Sequence, residues 1–375
     1  MKLVLYNDSS AIKYHPDFAL EEAEVGYVNG HFSLEKEEVE ALKRAARQAW
    51  ERAKERFNWS KFVGHLRFDL IPRVENPTPV GKKGKDGRIY YDLGKLSISG
   101  IYEINAQDPE CAAADNAMRK VKGNTTPPAV ERLANTMKEV LPNQRIAFVR
   151  GNGPVKTSWG EDFTSQLLEA GLDLEPMTPE EAQKRNPPIL WRWAILQWGE
   201  YDDLPKSFAK WLLEAQKNHT LTVNHLFPPH EVGADDKRLV MTKEDFILTT
   251  ERMGPLLRDQ ENYVLKPLRG GSGRGIYFGE KTSPEEWRNI VSRCALKGNY
   301  GAFYAQWLPR ITLRKEEVTF DVNPSFFFDG KELRYLYTII RMDKWSNYEE
   351  RRAINVAQGG GFAGTAAEEQ LIKGP

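Results

Sequence analysis

The chain has little cysteine and no net charge, and each absence argues against a class of protein. Only Cys111 and Cys294 occur in 375 residues, far apart, which speaks against a disulfide framework or a zinc site. Basic and acidic residues both number 53, so no overall field attracts nucleic acid or a membrane surface. No apolar run reaches the length of a membrane span, and the first residues do not resemble a signal peptide. We therefore expect a cytoplasmic protein that binds neither nucleic acid nor membrane.

What the sequence does contain is the alternation of helix and strand signals typical of a mixed α+β and α/β protein. With 40% hydrophobic residues the chain can bury a core large enough for two or three lobes. Apolar spacing predicts a helix over 33–57, strands over 62–71 and 96–106, and a Pro/Gly/Lys-rich hairpin between those strands. A helix near 126–140, a strand at 144–149, a glycine turn and a second helix then indicate an α/β unit.

Beyond Tyr263 the pattern changes to that of an antiparallel α+β lobe. A strand, a glycine loop and a strand come first, followed by a helix and by strands over 302–308, 317–328 and 333–341. The aromatic segment 191–205 is apolar throughout and predicts core rather than a platform for stacking bases. The oligomeric state cannot be read from these patterns.

A strand-borne lysine, Lys266, precedes the glycine-rich loop that holds Gly270, Gly271, Ser272 and Gly273. Such a loop can point backbone N–H groups at a polyphosphate while the lysine supplies positive charge. The order differs from a Walker A loop, in which the lysine follows the glycines. By itself the motif also fits a hairpin that only turns the chain, so two interpretations stay open.

Polar residues on two predicted strands suggest a magnesium site. Glu103 and Asn105 are two positions apart, so their side chains leave the same face of a strand, and Asp69 can join them from a neighbouring strand. Oxygen ligands of this kind suit Mg²⁺, which usually takes one or two protein carboxylates and shares phosphate oxygens. Exposed polar positions on the strands are the alternative, but the apolar neighbours favour burial.

The segment FYAQWLPR at 303–310 is apolar and ends before a proline. It can present backbone groups to an adenine edge, although its composition fits an ordinary buried strand equally well.

The runs RFDL, YEINAQDPE, LKPLRGGSGRGI and YAQWLP, in this order, resemble the glutathionylspermidine synthase-like branch of ATP-grasp enzymes. The resemblance implies a circularly permuted ATP-grasp fold, with the metal-binding strands early in the chain and an inserted pre-ATP-grasp-like lobe. It covers the synthetase part only. By resemblance, the magnesium ligands correspond to Asp69, Glu103 and Asn105, the arginines near the transferred phosphate to Arg67 and Arg341, and the ATP-binding residues to Lys237, Lys266, the glycine loop, Gln306, Trp307 and Leu308.

The resemblance further implies four segments and a reaction. Residues 1–140 would carry the metal-binding strands of the large lobe, 141–232 the inserted lobe, 233–312 the small lobe with its glycine-rich lid, and 313–375 the return to the large lobe. The implied activity is ATP- and Mg²⁺-dependent ligation of a carboxylate to an amine through an acyl phosphate.

Two other functions remain open at this stage. One is an ATP-dependent phosphotransferase, and the other is a nucleotide-binding regulatory protein without turnover. The substrates are also open, because the insertion VGKKGKDGRIYYD and the residues Gln107–Glu110 depart from the family pattern. Asp108, Glu110 and Asp115 are candidates for holding a cationic amine, and Asn355 and Gly359–Gly361 for lining the triphosphate.

Overall fold

The chain forms several sheets and helices, which confirms the α+β expectation at that level. The computed structural model describes residues 1–8, 10–20, 23–106, 128–150, 158–193, 205–218, 220–228, 231–234, 236–269, 275–351, 354 and 361–363. The strands are β1 (Lys2–Leu5), β2 (Ile12–Leu20), β3 (Ala23–Val28), β4 (Gly30–Ser33), β5 (Gly64–Val74), β6 (Lys82–Lys83), β7 (Ile89–Asp92), β8 (Leu96–Asn105), β9 (Ile146–Arg150), β10 (Leu174–Met177), β11 (Ile189–Trp193), β12 (Leu221–Val223), β13 (Phe246–Ile247), β14 (Tyr263–Pro267), β15 (Tyr277–Phe278), β16 (Tyr300–Tyr304), β17 (Ile311–Thr312), β18 (Glu317–Phe328), β19 (Leu333–Lys344) and β20 (Gly361–Ala363). The helices are α1 (Lys36–Lys54), α2 (Pro128–Val140), α3 (Ser158–Glu169), α4 (Pro179–Arg185), α5 (Lys206–Lys217), α6 (Met253–Arg258), α7 (Pro284–Lys297) and α8 (Trp345–Arg351).

Helix α1 forms where the apolar period predicts it. The Glu38 carboxylate accepts a hydrogen bond from the backbone N–H of Glu35 at 2.9 Å, which pairs a donor that would otherwise be unsatisfied at the helix start. An apolar stripe at i, i+3 and i+4 spacing is buried from Val39 to Ala53. Within it the Trp50 ring lies 4.7 Å from the ring of Phe328 in β18. The stripe thus covers one face of the largest sheet.

The largest sheet has eight strands in the order β2-β3-β20-β19-β18-β5-β8, with β17 paired to β18. Side chains alternate between its two faces. Leu66, Phe68 and Leu70 of β5 join the same apolar core as α1. The intervening His65, Arg67 and Asp69 are also buried, on the other face. We call the sheet the central sheet and this second side its polar face.

A separate four-stranded sheet has the order β10-β9-β11-β12 and is parallel throughout. Its strands alternate with helices, so the α/β unit inferred from the sequence is confirmed. Trp191 in β11 is fully buried, as expected for core, and its ring lies 5.0 Å from that of Phe148. Helix α2 packs against β19, so this lobe adjoins the polar face of the central sheet.

The small antiparallel sheet has the order β13-β16-β14-β15 and is covered by α7. Ser283 caps that helix by accepting the N–H of Glu286 at 3.3 Å, and Gly298 ends it at a positive φ of 66°. The strand predicted over 302–308 is wrong from residue 305 onward. Strand β16 ends at Tyr304 because the chain leaves the small sheet there and runs toward the central sheet.

The hairpin expected between β5 and β8 is present and completes a fourth sheet. Strand β7 pairs with β6 on one side and with β1 on the other, giving the order β4-β1-β7-β6. Among the described residues, none of the helices has the length and apolar character needed to cross a membrane. Cys294 is buried as a thiol, and Cys111 lies outside the described residues.

Candidate active site

Two neighbouring strands of the central sheet bring four of the predicted site residues together. In the antiparallel pairing of β5 with β8, Asp69 lies opposite Glu103 and Arg67 lies opposite Asn105. Cross-strand partners of this kind have Cβ atoms roughly 5 Å apart. Arg67 also donates from Nε to Asp69 Oδ1 at 2.6 Å, along its own strand. The four side chains therefore form one compact group on the polar face.

Arg341 joins this group from β19. Its Nη2 donates to Asp69 Oδ2 at 2.9 Å, and its Nε donates to Asp321 Oδ1 at 3.1 Å. Asp321 lies directly opposite Arg341 in the β18–β19 pairing and is 2% exposed. Sequence reasoning missed Asp321, although the alternation of polar and apolar residues in VTFDVN carried the signal.

The charges in this group shift one another's pKa values. Burial opposes ionisation of Asp69, but the guanidinium groups of Arg341 and Arg67 outweigh it and hold the pKa of that carboxyl below its usual value. Burial raises the pKa of Asp321 despite its contact with Arg341. Burial opposes the charge of Arg341, but the carboxylates of Asp321 and Asp69 outweigh it and raise the pKa of this guanidinium, so it stays charged.

Lys237 approaches Glu103 from a separate segment. It begins a 3₁₀ turn over Lys237–Val240, and its Nζ lies 3.2 Å from Glu103 Oε2 in a buried position. Its backbone N–H donates to the Leu268 carbonyl at 2.9 Å, which ties the turn to the end of β14. Lys237, which matches the family's nucleotide-binding lysine less closely than Lys266 matches its own counterpart, thus lies beside the predicted metal ligands.

A β-bulge in β8 places the ring of Tyr102 beside Lys266 of β14. Asp69 pairs with Glu103 but Leu70 pairs with Ile101, so Tyr102 is the extra residue of β8. A bulge re-aims the side chain that it carries. The Tyr102 ring lies 5.0 Å from Lys266 Nζ, and burial lowers the pKa of this lysine to about 8.

The segment predicted to contact adenine bridges the small and central sheets. The Gln306 carbonyl accepts the hydroxyl of Tyr102 at 3.2 Å, and the Leu308 N–H donates to the hydroxyl of Tyr348 at 3.0 Å. These two backbone groups are therefore already paired within the protein. The side-chain Oε1 of Gln306 is buried and has no hydrogen-bond partner among the described residues, while Trp307 is partly exposed.

Other predicted residues cannot be placed. The loop residues Gly270, Gly271, Ser272 and Gly273 lie outside the described residues, as do Asp108, Glu110, Asp115, Asn355, Gly359 and Gly360. Gly361 is described and lies in β20, opposite Met342 of β19.

The oxygen atoms of Asp69, Glu103 and Asn105 are of the type that Mg²⁺ prefers, but they do not form a complete coordination shell. Glu103 and Asn105 are half-buried and provide oxygen atoms beside Asp69. Among the described residues, no group of three or more His, Cys, Asp or Glu side chains is arranged to hold a metal. Because Mg²⁺ commonly uses one or two carboxylates and takes its other ligands from phosphate and water, two carboxylates are enough. The oxygens of Asp69 already accept guanidinium hydrogens, so Glu103 is the more accessible of the two carboxylates.

Comparison with known proteins adds no family to this description. No protein-family model matches the chain, and a search of curated proteins finds no significant match. The ATP-grasp resemblance therefore stays a prediction.

Proposed function

We propose that the protein is an ATP- and Mg²⁺-dependent carboxylate–amine ligase with a permuted ATP-grasp fold. One observation carries the proposal: Arg67 and Arg341, 274 positions apart in the sequence, both bind Asp69, and Asp69 lies opposite Glu103. Two of the short motifs, RFDL and YEINAQDPE, predicted that Arg67, Asp69 and Glu103 act together, and a separate resemblance of the late strand added Arg341. Their convergence on one sheet face supports the prediction.

The charges of the group suit a nucleoside triphosphate. Four cationic side chains act together with four carboxylates, so the charges balance before Mg²⁺ binds and a bound cation would make the site positive; they are Arg67, Arg341, Lys237 and Lys266 against Asp69, Asp321, Glu103 and Asp245. Lys237 and Lys266 would bind phosphate oxygens as point charges. The buried Oε1 of Gln306 is an acceptor for an exocyclic amine such as that of adenine, since its neighbouring backbone groups are already paired.

Glu103, Asn105 and Asp69 would hold Mg²⁺, which would supply positive charge to neutralise the phosphate oxygens. Arg67 and Arg341 would place their positive charges beside the transferred phosphoryl group. The substrate carboxylate attacks the γ-phosphorus, ADP leaves, and an acyl phosphate forms. The amine then attacks the acyl carbon and phosphate leaves. The buried polar face limits access of the water that would hydrolyse the intermediate.

The direct test is release of ADP and phosphate by the purified chain with a panel of acids and amines. Ligation requires that both an acid and an amine be present and that an amide accumulate. Glu103→Gln and Lys237→Met should each lower the rate by at least about a hundredfold, the effect of losing one electrostatic stabiliser of the transition state. Glu317→Gln, at an exposed position of the same sheet, is the matched control and should keep the rate.

A phosphotransferase and a nucleotide-binding regulatory protein would each give a different result in this assay. A stable phosphorylated substrate that forms without an amine would identify a phosphotransferase. Mg²⁺-dependent ATP binding with no ADP release under any substrate pair would identify a nucleotide-binding regulatory protein. Either result would exclude the ligase.

A further inference from the structure

Strand β18 carries a row of polar side chains into the polar face of the central sheet. Thr319, Asp321, Asn323 and Ser325 occupy alternate positions and are all at most 2% exposed. The Nδ2 of Asn323 donates to Asp321 Oδ1 at 2.7 Å. The hydroxyls of Thr319 and Ser325 and the Oδ1 of Asn323 have no hydrogen-bond partner among the described residues.

Unpaired atoms at this depth are costly. A buried donor or acceptor without a partner is destabilising, and folded proteins pair the large majority of such atoms with protein or ordered water. The alternation of side chains along a strand explains why the four residues share one face. It does not explain why that face is polar, because a strand buried on both faces is normally apolar throughout. The row therefore indicates an occupant with hydrogen-bonding atoms.

The position of the row relates this occupant to the proposed reaction. Val322 pairs with Leu70 and Ser325 pairs with Arg67, so the intervening Asn323 lies across from Asp69. The unpaired atoms of Asn323 and Ser325 thus adjoin the carboxylate that Arg67 and Arg341 bind. Thr319 lies at the other end of the row, opposite Asp343 and roughly 13 Å along the strand from Asn323.

The chemistry of these atoms restricts the occupant. The Oδ1 of Asn323 can only accept a hydrogen bond, and a serine hydroxyl can accept or donate one. Next to them the guanidinium groups of Arg67 and Arg341 are already matched by the carboxylates of Asp69 and Asp321, so a further positive charge buried here would have no partner. The occupant should therefore be an uncharged donor, and a neutral primary amine provides two N–H donors and a lone pair.

We propose that Asn323 and Ser325 form the binding site for the amine substrate and select its uncharged form. The proposal rests on the ligase function proposed above and adds the class of its second substrate. Only a neutral amine has the lone pair needed to attack an acyl phosphate, so a site that rejects the ammonium form binds the reactive species. Asn323 and Ser325 hold the nitrogen beside Asp69, where Arg67 and Arg341 hold the activated acid.

The test compares two small probes on the whole chain. Hydroxylamine is largely uncharged at neutral pH, whereas methylamine is almost entirely protonated. We expect saturable hydroxylamine binding by calorimetry without ATP, and at least about tenfold weaker binding of methylamine. Ser325→Ala and Asn323→Leu should each weaken hydroxylamine binding about tenfold, the equivalent of one hydrogen bond. Glu317→Gln, at an exposed position of the same strand and outside the row, is the control and should leave binding unchanged.

Turnover provides the second readout. With an acid that supports ADP release, Ser325→Ala and Asn323→Leu should raise the KM for hydroxylamine in hydroxamate formation while the Kd for ATP stays constant. Equal binding of hydroxylamine by wild type, Ser325→Ala and Asn323→Leu would overturn the amine site and mean that ordered water fills the row. If wild type binds hydroxylamine and Ser325→Ala does not, yet no acid supports ADP release, the amine site stands and the ligase function fails.

Discussion

At the scale of single residues, Arg341 stabilises two buried carboxylates at once. Its guanidinium contacts both Asp69 and Asp321, each 2% exposed. A buried ion pair contributes little net stability while intact, but removal of one partner leaves a desolvated charge. Arg341 therefore matters for folding as well as for the proposed chemistry, and the two effects need separate measurements.

We predict that Arg341→Met lowers the free energy of unfolding by about 3–5 kcal/mol, because two carboxylates lose a shared cation. Urea unfolding at neutral pH measures this change. Arg310→Met is the matched control, since Arg310 forms an exposed pair with Glu317 and its loss should cost no more than about 1 kcal/mol. Equal losses in the two variants would contradict the role given to Arg341.

A second residue-scale prediction concerns pH. The pKa of Lys266 is lowered to about 8 by burial, so the ammonium is largely charged at neutral pH and loses its proton as pH rises through 8. If Lys266 binds phosphate, the affinity for ATP should be level below pH 8 and fall about tenfold per pH unit above it. Calorimetric titration across this range measures the effect. A constant affinity up to pH 9.5 would contradict it.

The contribution of Lys266 to the free energy of unfolding should change with pH in the opposite direction to the affinity for ATP. Because the folded pKa lies below the ordinary 10.5, the folded state disfavours the charged form of Lys266. This group's contribution therefore rises as pH increases from about 8 toward 10.5 and is lost as pH falls back. Lys266→Met removes this dependence, and the difference between its unfolding curves and those of wild type isolates the contribution of one lysine.

At the scale of elements, helix α7 supports the strand that carries Lys266. Trp287 on α7 is fully buried in the core of the small sheet, and its indole N–H donates to the Leu256 carbonyl at 2.8 Å. The sequence predicts a helix here, but only the tertiary structure determines which face of the helix packs against the small sheet. A single aromatic side chain thus connects α7 to α6.

We predict that Trp287→Ala costs about 3–5 kcal/mol, the usual loss for a large buried side chain. Leu296→Ser on the same helix is the control, because Leu296 is 79% exposed and its change should stay within about 0.5 kcal/mol. Hydrogen exchange of β14 should quicken in Trp287→Ala and not in Leu296→Ser. Unchanged exchange in β14 would mean that α7 does not support the strand.

At the scale of the whole molecule, ligand binding should be linked to stability. A ligand that binds only the folded chain stabilises it by about 2.7 kcal/mol at a concentration of a hundred times its Kd. The proposed ATP site uses both the small sheet, through Lys266, and the central sheet, through Glu103. ATP bound there would therefore stabilise the two sheets together.

We predict that Mg-ATP raises the midpoint of thermal unfolding of wild type and not of Lys237→Met, which lacks the cation beside Glu103. Lys217→Met is the matched control, since Lys217 pairs with Glu214 at an exposed position of α5 and should keep the full ATP response. Differential scanning calorimetry with and without Mg-ATP measures both. An equal response of Lys237→Met and wild type would place ATP elsewhere.

The sequence by itself determined the elements and the chemistry of single positions. Apolar periodicity located α1, β5, β8 and β18, because helix and strand periods are local properties of the chain. Same-face spacing related Glu103 to Asn105 for the same reason. The coarse α+β class followed from these signals, whereas the ATP-grasp fold is still an expectation.

Only the tertiary structure decided which distant residues meet. Asp321 faces Arg341, and Asn323 faces Asp69, because of the register between strands far apart in the sequence. A one-residue slip would move each of these side chains to the other face, and no local pattern specifies the register. The bulge that turns Tyr102 toward Lys266 is likewise a property of paired strands. Register depends on the packing of both sheet faces at once, and for that reason single stretches of sequence do not contain it.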